Sequence, residues 1–135
     1  SAFALHVAGE VHFDARYVDA LDGLVGFSHA WLLSWLAPFD RPAPDPELRQ
    51  VPLLLREQPE EFGIFATRGP RRPNPIGLSL VRIVVIDAPV LQFAGVDLVD
   101  GTILLDVKPY VTRFDQPSGE IRCGWFDARL GEPVP

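Results

Sequence analysis

A proline-rich segment from Phe65 to Leu78, here called the arginine segment, carries the side chains best suited to bind an anion. Its sequence, FATRGPRRPNPIGL, places Arg68, Arg71 and Arg72 among three prolines. Each proline fixes its own φ and disfavours helical backbone in the residue before it, so the segment is predicted to be stiff and extended. Guanidinium groups held in advance suit a phosphate, a carboxylate or a nucleobase. The alternative is a solvated surface loop.

The charge distribution separates this segment from the rest of the chain. The stretch from Phe62 to Ile86 has no Asp or Glu but four Arg, whereas the 135-residue chain has a formal net charge of -6. Broad, non-specific nucleic-acid binding depends on neutralising many phosphates, which an acidic protein does poorly. A local basic patch that meets RNA remains compatible with this composition.

A second group of polar side chains follows a predicted strand. Because side chains alternate along a strand, Leu104, Asp106 and Lys108 are expected on one face. Charged groups on an otherwise apolar strand are costly unless they serve a ligand, which makes the pair a candidate site. The alternative is that Asp106 and Lys108 pair only with each other. Tyr110 follows them, either to stack on a base or to cap the core.

Several common kinds of site are missing from the sequence. Gly-x-Gly occurs nowhere, which excludes the Rossmann fingerprint, and neither a P-loop nor a Gly-x-Ser-x-Gly elbow is found. His6, His12 and His29 lack zinc-ligand spacing, so no metal site is predicted. The single cysteine, Cys123, cannot form an internal disulfide and favours a reduced, cytoplasmic setting. No apolar run is long enough to cross a bilayer, so no membrane association is expected.

The elements that must position these residues are predicted to be mostly strands. Strands are expected at Gly9–Val18, Val51–Arg56, Phe62–Thr67, Gly77–Ile86, Val90–Asp97, Ile103–Val107 and, at an edge, Ile121–Phe126. The apolar run Val25–Leu36 fits a helix or a buried strand. Asp100-Gly101 predicts a type I′ hairpin at Val99–Thr102. Frequent turns and little helix predict a mainly β, compact, barrel-like fold, not a Rossmann fold, with residues 1–135 as a single domain.

Two long motifs carry a resemblance to a known family. FATRGPRRPNPIGLS (Phe65–Ser79) and VDLVDGTILLDVKPY (Val96–Tyr110) resemble the TsaA-like, or YaeB/TrmO, family, and GLVGFSHAW (Gly23–Trp31) is similar to its upstream motif. The resemblance implies a β-barrel-like fold and a homodimer that binds S-adenosylmethionine in loops near the subunit interface. Characterised members of that family methylate the exocyclic amine of threonylcarbamoyl-adenosine beside the anticodon of tRNA.

The resemblance also implies roles for individual positions. The expected cofactor contacts are Arg68, Leu78, Ala94, Gly95, Val96 and Asp97. Arg72, Asn74, Asp106, Lys108 and Tyr110 match further motif positions without an implied role. Our own hypothesis assigns tRNA contacts to Arg71, Arg72 and Asn74 and catalysis to Asp106, Lys108 and Tyr110. Among these, Asp106 is expected to orient the accepting amine or to pair with Lys108, and Tyr110 to stack the base.

Two other functions remain open from the sequence. One is a protein that binds S-adenosylmethionine without transferring its methyl group. An N-terminus expected to be shorter than the family's and an acidic surface favour it. The other is a methyltransferase whose acceptor is a small molecule or another RNA.

Overall fold

The computed structural model describes residues 8–38, 45, 47–96 and 98–130. Strands in these ranges are β1 (Ala8–His12), β2 (His29–Trp35), β3 (Arg49–Gln50), β4 (Phe62–Gly63), β5 (Ile76–Asp87), β6 (Val90–Ala94) and β7 (Ile103–Pro109). The helices are α1 (Thr112–Asp115), α2 (Trp125–Leu130) and 3-10 helices at Ala15–Leu21, Leu24–Gly26, Leu53–Leu55 and Ile64–Ala66. An antiparallel five-stranded sheet has the order β1-β6-β5-β2-β7, and β3 pairs with β4.

Strand β2 resolves the ambiguous apolar run. Ala30, Leu32 and Ser34 are buried, while the residues between them are only half-buried. Burial with a period of two is the pattern of a strand with two unlike faces, and a helix would not produce it. The run Val25–Leu36 is therefore a short 3-10 turn followed by a strand.

The core lies on the side of the sheet to which Ala30 and Leu32 point. These side chains cluster with Val81, Leu91 and Phe93. Residues of the connection from β6 to β7, Val96 and Leu98, pack against the same cluster, so this connection covers that side. The mainly β, non-Rossmann prediction is confirmed, and the sheet stays open rather than closing into a barrel within the described residues.

The strand predictions are correct where the hydrophobic pattern determines the local structure. They are wrong where a proline or a capping side chain starts a helical turn. Strands β5, β6 and β7 confirm the three predicted in that region. The strand predicted at Val51–Arg56 is wrong. Pro52 lacks an N–H for a strand ladder, and its carbonyl instead accepts from Leu55 N at 2.9 Å, closing a 3-10 turn.

Capping by aspartate explains two further errors. The first strand ends at His12 rather than Val18, because Asp14 accepts a hydrogen bond from Arg16 N at 3.1 Å and starts a 3-10 helix. The edge strand predicted at Ile121–Phe126 is wrong, since Asp127 accepts from Cys123 N at 2.8 Å and α2 forms there. The strand predicted at Phe62–Thr67 keeps only its first two residues.

The predicted hairpin is wrong although its turn exists. Thr102 N donates to Val99 O at 3.0 Å, and Gly101 has a φ of 84°. Asp100 does not have the positive φ that a type I′ turn requires, and β7 pairs with β2 instead of β6. Between β6 and β7 the chain crosses the core side of β5 and β2. The turn at Val99–Thr102 lies at the end of this crossing and leads the chain into β7.

Two absences hold for the described parts of the chain. No helix there has the length and apolar character needed to cross a membrane. No group of three or more His, Cys, Asp or Glu there is arranged to hold a metal ion.

Gly77, inside the arginine segment, packs closely against Ser34 and Leu36, so a substitution there measures how tight this packing is. A Cβ at this position would lie 2.6 Å from Ser34 Oγ and 3.1 Å from a Leu36 methyl carbon. We expect Gly77→Ala to lower the free energy of unfolding by about 1–3 kcal/mol in urea denaturation, as overpacking does.

The matched control is Gly26→Ala, because no atom lies within 4 Å of the Cβ it would add. Adding Ser34→Ala to the Gly77 variant removes the closest atom and is expected to restore part of the loss. Equal effects of the two glycine variants would contradict this packing account.

Candidate functional site

The register of β2 with its two neighbours brings the candidate residues onto the side of the sheet opposite the core, here called the open face. Paired residues of β5, β2 and β7, with Tyr110 directly after β7, form four rows across this face. The rows are Ile76–Trp35–Ile103, Leu78–Leu33–Asp106, Leu80–Trp31–Lys108 and Arg82–His29–Tyr110. Neighbouring strands lie about 5 Å apart, so the outer members of a row are roughly 10 Å apart. A candidate cofactor contact, Leu78, thus shares a row with a candidate catalytic residue, Asp106.

Aromatic rings gather at the polar end of the open face. The Tyr110 ring lies 6.0 Å from the Trp31 ring and 6.3 Å from the His29 ring, the latter edge-on. Ser28 Oγ lies 2.7 Å from His29 Nδ1 and holds that imidazole in place. Grouped rings of this kind are the surface on which a splayed nucleobase stacks.

The charged pair on β7 is only loosely engaged. Lys108 Nζ lies 3.5 Å from Asp106 Oδ2, and both side chains are at least half exposed. The other carboxylate oxygen, Oδ1, accepts a hydrogen bond from Val107 N at 2.8 Å. Water screens an exposed pair strongly, so a ligand can replace Lys108 as the partner of Asp106 at little cost.

The three arginines of the arginine segment have different surroundings. Arg72 donates from Nη1 to Thr67 O at 2.8 Å and Gly69 O at 3.0 Å, and from Nη2 to Ile64 O at 3.0 Å. Among the described residues, no hydrogen bond or ion pair engages the guanidinium groups of Arg68 and Arg71, and both residues are exposed. The segment therefore presents two arginines and uses the third to hold itself.

The remaining candidate positions are spread over both sides of the sheet. Ala94 pairs with Arg82 and lies on the open face, whereas Val96 packs against the core. Gly95 between them has a φ of 113°, and a Cβ there would lie 3.7 Å from Leu80 O. Asn74 is exposed, and Asp97 lies outside the described residues.

The arginine segment and the Asp-Gly turn meet at one end of the sheet. Leu36 N donates to Pro75 O at 2.7 Å, and Ile103 pairs with Trp35 beside it. A cavity of about 390 Å³ lies at this end, lined by Trp35–Pro38 and Leu98–Ile103. No residue of the arginine segment lines that cavity, so the two segments are neighbours without being enclosed together there.

Two residues absent from the sequence-based site also belong in this region. Phe65 is 84% exposed and lies three residues before Arg68. An aromatic residue close to several arginines in the sequence is a detectable signal for nucleic-acid binding. Trp125 donates from Nε1 to Ala66 O at 2.7 Å, a contact across 59 positions that no local sequence pattern announces.

The model of the family described as tRNA-methyltransferase O N-terminal domain matches residues 1–116. A "Probable S-adenosyl-L-methionine-binding protein" of Methanothermobacter thermautotrophicus is 41% identical over 106 residues, which cover 78% of this chain and 72% of that protein. The "tRNA (adenine(37)-N6)-methyltransferase" of Escherichia coli is 39% identical over 109 residues, covering 76% of this chain and 45% of that enzyme.

A solved structure gives the same result for the fold. The crystal structure of TrmO from Pseudomonas aeruginosa superposes with a TM-score of 0.66 at 35% identity, covering 90% of this chain and 49% of that one. The chain thus spans most of the archaeal relative but about half of these two bacterial proteins.

The exposed carboxylate of Asp106 allows a clean separation of function from stability. We expect Asp106→Asn to change the free energy of unfolding by less than about 0.5 kcal/mol, because exposed ion pairs contribute little. Chemical denaturation measures this, with Glu61→Asn, which breaks the similarly exposed pair with Arg49, as the control. A loss above about 2 kcal/mol for Asp106→Asn would show that the carboxylate holds the fold together instead.

Proposed function

The chain belongs to the tRNA-methyltransferase O N-terminal domain family, as its motifs indicated, and from that premise we propose that it is an S-adenosylmethionine-dependent tRNA methyltransferase. The proposed acceptor is the N6 amine of threonylcarbamoyl-adenosine beside the anticodon. The tRNA substrate implies action in the cytoplasm.

The observation that carries this proposal is the arrangement of the open face. Its rows place Leu78 level with Asp106, and Tyr110 with its ring contacts follows on the same face. An apolar surface and a carboxylate therefore lie between the grouped rings at one end of the open face and, at the other end, a segment whose Arg68 and Arg71 have no partner among the described residues. This combination matches a nucleoside-containing cofactor and a splayed base better than it matches a purely structural surface.

The residues present fit S-adenosylmethionine. Arg68, with no partner among the described residues, suits the cofactor's carboxylate, and the half-exposed Leu78 suits its apolar parts. Gly95 leaves a side-chain-free approach to the backbone beside Leu80. We propose Arg68, Leu78 and positions 94–97 as the residues that hold the cofactor, with Val96 supporting the loop from the core side.

When bound, S-adenosylmethionine would supply an electrophilic methyl group and be left as its neutral thioether, while the accepting nitrogen loses its proton to solvent, so the protein's own part is mainly to position the acceptor. Asp106 accepts a hydrogen bond from the accepting amine and takes its orientation from Val107 N. Tyr110 and Trp31 stack the base. Arg71, Phe65 and Asn74 meet the RNA, while Arg72 keeps the arginine segment in shape and Lys108 balances the charge of Asp106.

We propose that the molecule is a homodimer and that a second copy covers the open face. Ile76, Leu78, Leu80 and Ile103 are each at least 40% exposed there, and apolar side chains exposed together on one face are typical of an interaction surface. A second copy would also help enclose the site, which one chain leaves open at the arginine segment.

The names of the archaeal relatives favour one alternative, a protein that binds S-adenosylmethionine without methylating tRNA. Both functions use the same cofactor site, so cofactor affinity alone does not separate them. Transfer of the methyl group does.

We expect methyl-labelled cofactor to transfer its label to tRNA carrying the threonylcarbamoyl modification and not to unmodified tRNA. Arg68→Ala should weaken cofactor binding about 10- to 100-fold in calorimetry, the loss typical of a hydrogen bond to a charged group.

Arg113→Ala is the matched control, because Arg113 is an exposed arginine on α1. Cofactor binding without label transfer to either tRNA would replace the methyltransferase by the binding protein. Unchanged affinity in Arg68→Ala would remove Arg68 from the site.

The homodimer is tested by placing a charge on the open face. Leu80→Glu should convert a dimer of the 15.0-kDa chain into a monomer in analytical ultracentrifugation, because a buried unpaired carboxylate is costly at an apolar interface. Val99→Glu makes the same change at an 82% exposed position outside the four rows and should leave the dimer intact. A wild-type monomer, or a dimer unaffected by Leu80→Glu, would contradict the proposal.

A further inference from the structure

The C-terminal helix α2 contacts the arginine segment directly, although it lies beyond residues 1–116 that match the family. Trp125 Nε1 donates to Ala66 O at 2.7 Å. Ala66 is the second residue before Arg68, so this bond fixes the backbone immediately ahead of the proposed cofactor contact. None of the residues proposed above to contact the cofactor or the tRNA belongs to α2.

The indole of Trp125 is itself held by two other aromatic rings. Its ring stacks on Phe62 at 5.3 Å with an interplanar angle of 18°, and on Phe126 at 4.1 Å with an angle of 25°. Stacked rings restrict the orientation of the N–H, which is thereby aimed at the Ala66 carbonyl. Phe62 belongs to β4, three residues before the arginine segment begins, so the stack joins α2 to the strand that leads into that segment.

A second anchor lies one helical turn further along α2. Arg129 forms an ion pair with Glu60 and donates from Nη2 to Gln58 O at 2.6 Å. The Arg129 side chain is 22% exposed. The side chains of Arg49 and Lys108, which form the other arginine and lysine ion pairs among the described residues, are much more exposed. Helix α2 is therefore fastened along the stretch from Gln58 to Ala66.

The arginine segment depends on such outside support. Within it, Arg72 binds the carbonyls of Ile64, Thr67 and Gly69, and Thr67 Oγ1 also donates to Ile64 O at 2.8 Å. The carbonyl of Ala66 lies among these and is taken by Trp125 rather than by the segment itself. Breaking this bond frees the backbone next to Arg68 while the inner bonds of Arg72 remain.

We propose that Trp125 is a positioning residue and that α2 is a latch holding the arginine segment in its ligand-binding shape. The inference rests on the proposed function, since it takes Arg68 and Arg71 to meet the ligand. Affinity for cofactor and tRNA then depends on a helix that touches neither. When the latch opens, the segment is disordered in part of the molecules. The apparent affinity is then the intrinsic affinity multiplied by the fraction of molecules in which the segment is ordered.

Native-state proteolysis with trypsin measures the latch without any ligand. Cleavage after Arg68 or Arg71 requires the segment to open, whereas Arg72 precedes a proline, and trypsin cuts such bonds poorly. Trp125→Phe keeps a ring to stack but loses the N–H, so cleavage at Arg68 and Arg71 should accelerate about three- to tenfold, as expected for one lost hydrogen bond. Cleavage after Arg16 and Arg113 should not change.

The same variant should weaken cofactor binding in calorimetry by no more than the factor found for cleavage, because affinity falls only as the ordered fraction falls, and Arg129→Gln should act in the same direction. Phe114→Leu, at a 79% exposed aromatic residue on α1, is the matched control and should change neither measurement. Unchanged cleavage at Arg68 and Arg71 in Trp125→Phe would overturn the latch, as would an equal increase at every site, which indicates global destabilisation. A wild-type protein that binds no cofactor refutes the proposed function instead, and the cleavage pattern still decides the latch.

Discussion

Strand β2 is hydrogen-bonded on both sides, and its register with β5 and β7 decides which side chains share a face. Because side chains alternate, a slip of one residue would send Leu33 and Trp31 into the core and Ala30 to the open face. The buried side leaves no such freedom, since Ser34 packs directly against Gly77. The packing of the core thus fixes the composition of the site on the other side of the sheet.

A second constraint acts on the arginine segment, which has few strand or helix bonds of its own. Arg72 and Trp125 satisfy carbonyls of the segment, and the side chain of Thr67 donates to the carbonyl of Ile64 just before it. Gln50 adds another such bond, to Arg71 O at 2.6 Å. A loop with so many backbone acceptors occupied holds its exposed guanidinium groups in place before a ligand arrives.

Sequence reasoning found the sheet and the candidate residues but not the contacts that organise them. Hydrophobic pattern was enough for β5, and the motifs located Arg68 and Asp106. The Asp100-Gly101 turn was read as a hairpin because local turn chemistry does not reveal that β7 pairs with β2. Arg72 holds its own loop through hydrogen bonds to carbonyls three to eight residues earlier in the chain. Trp125 acts through a hydrogen bond to a residue 59 positions away, and neither contact is visible in a local sequence pattern.

The central claim is that the arginine segment and the open face form one ligand site. Amide hydrogen exchange with and without S-adenosylmethionine tests it most directly. The account predicts slower exchange in residues 65–80, which join the arginine segment to the open face, and at the proposed cofactor positions 94–97 when the cofactor is present. Protection confined to the cavity of about 460 Å³ lined by Val18–Asp19, Leu21–Gly23, Val25, Ile86 and Ala88, on another part of the molecule, would contradict it.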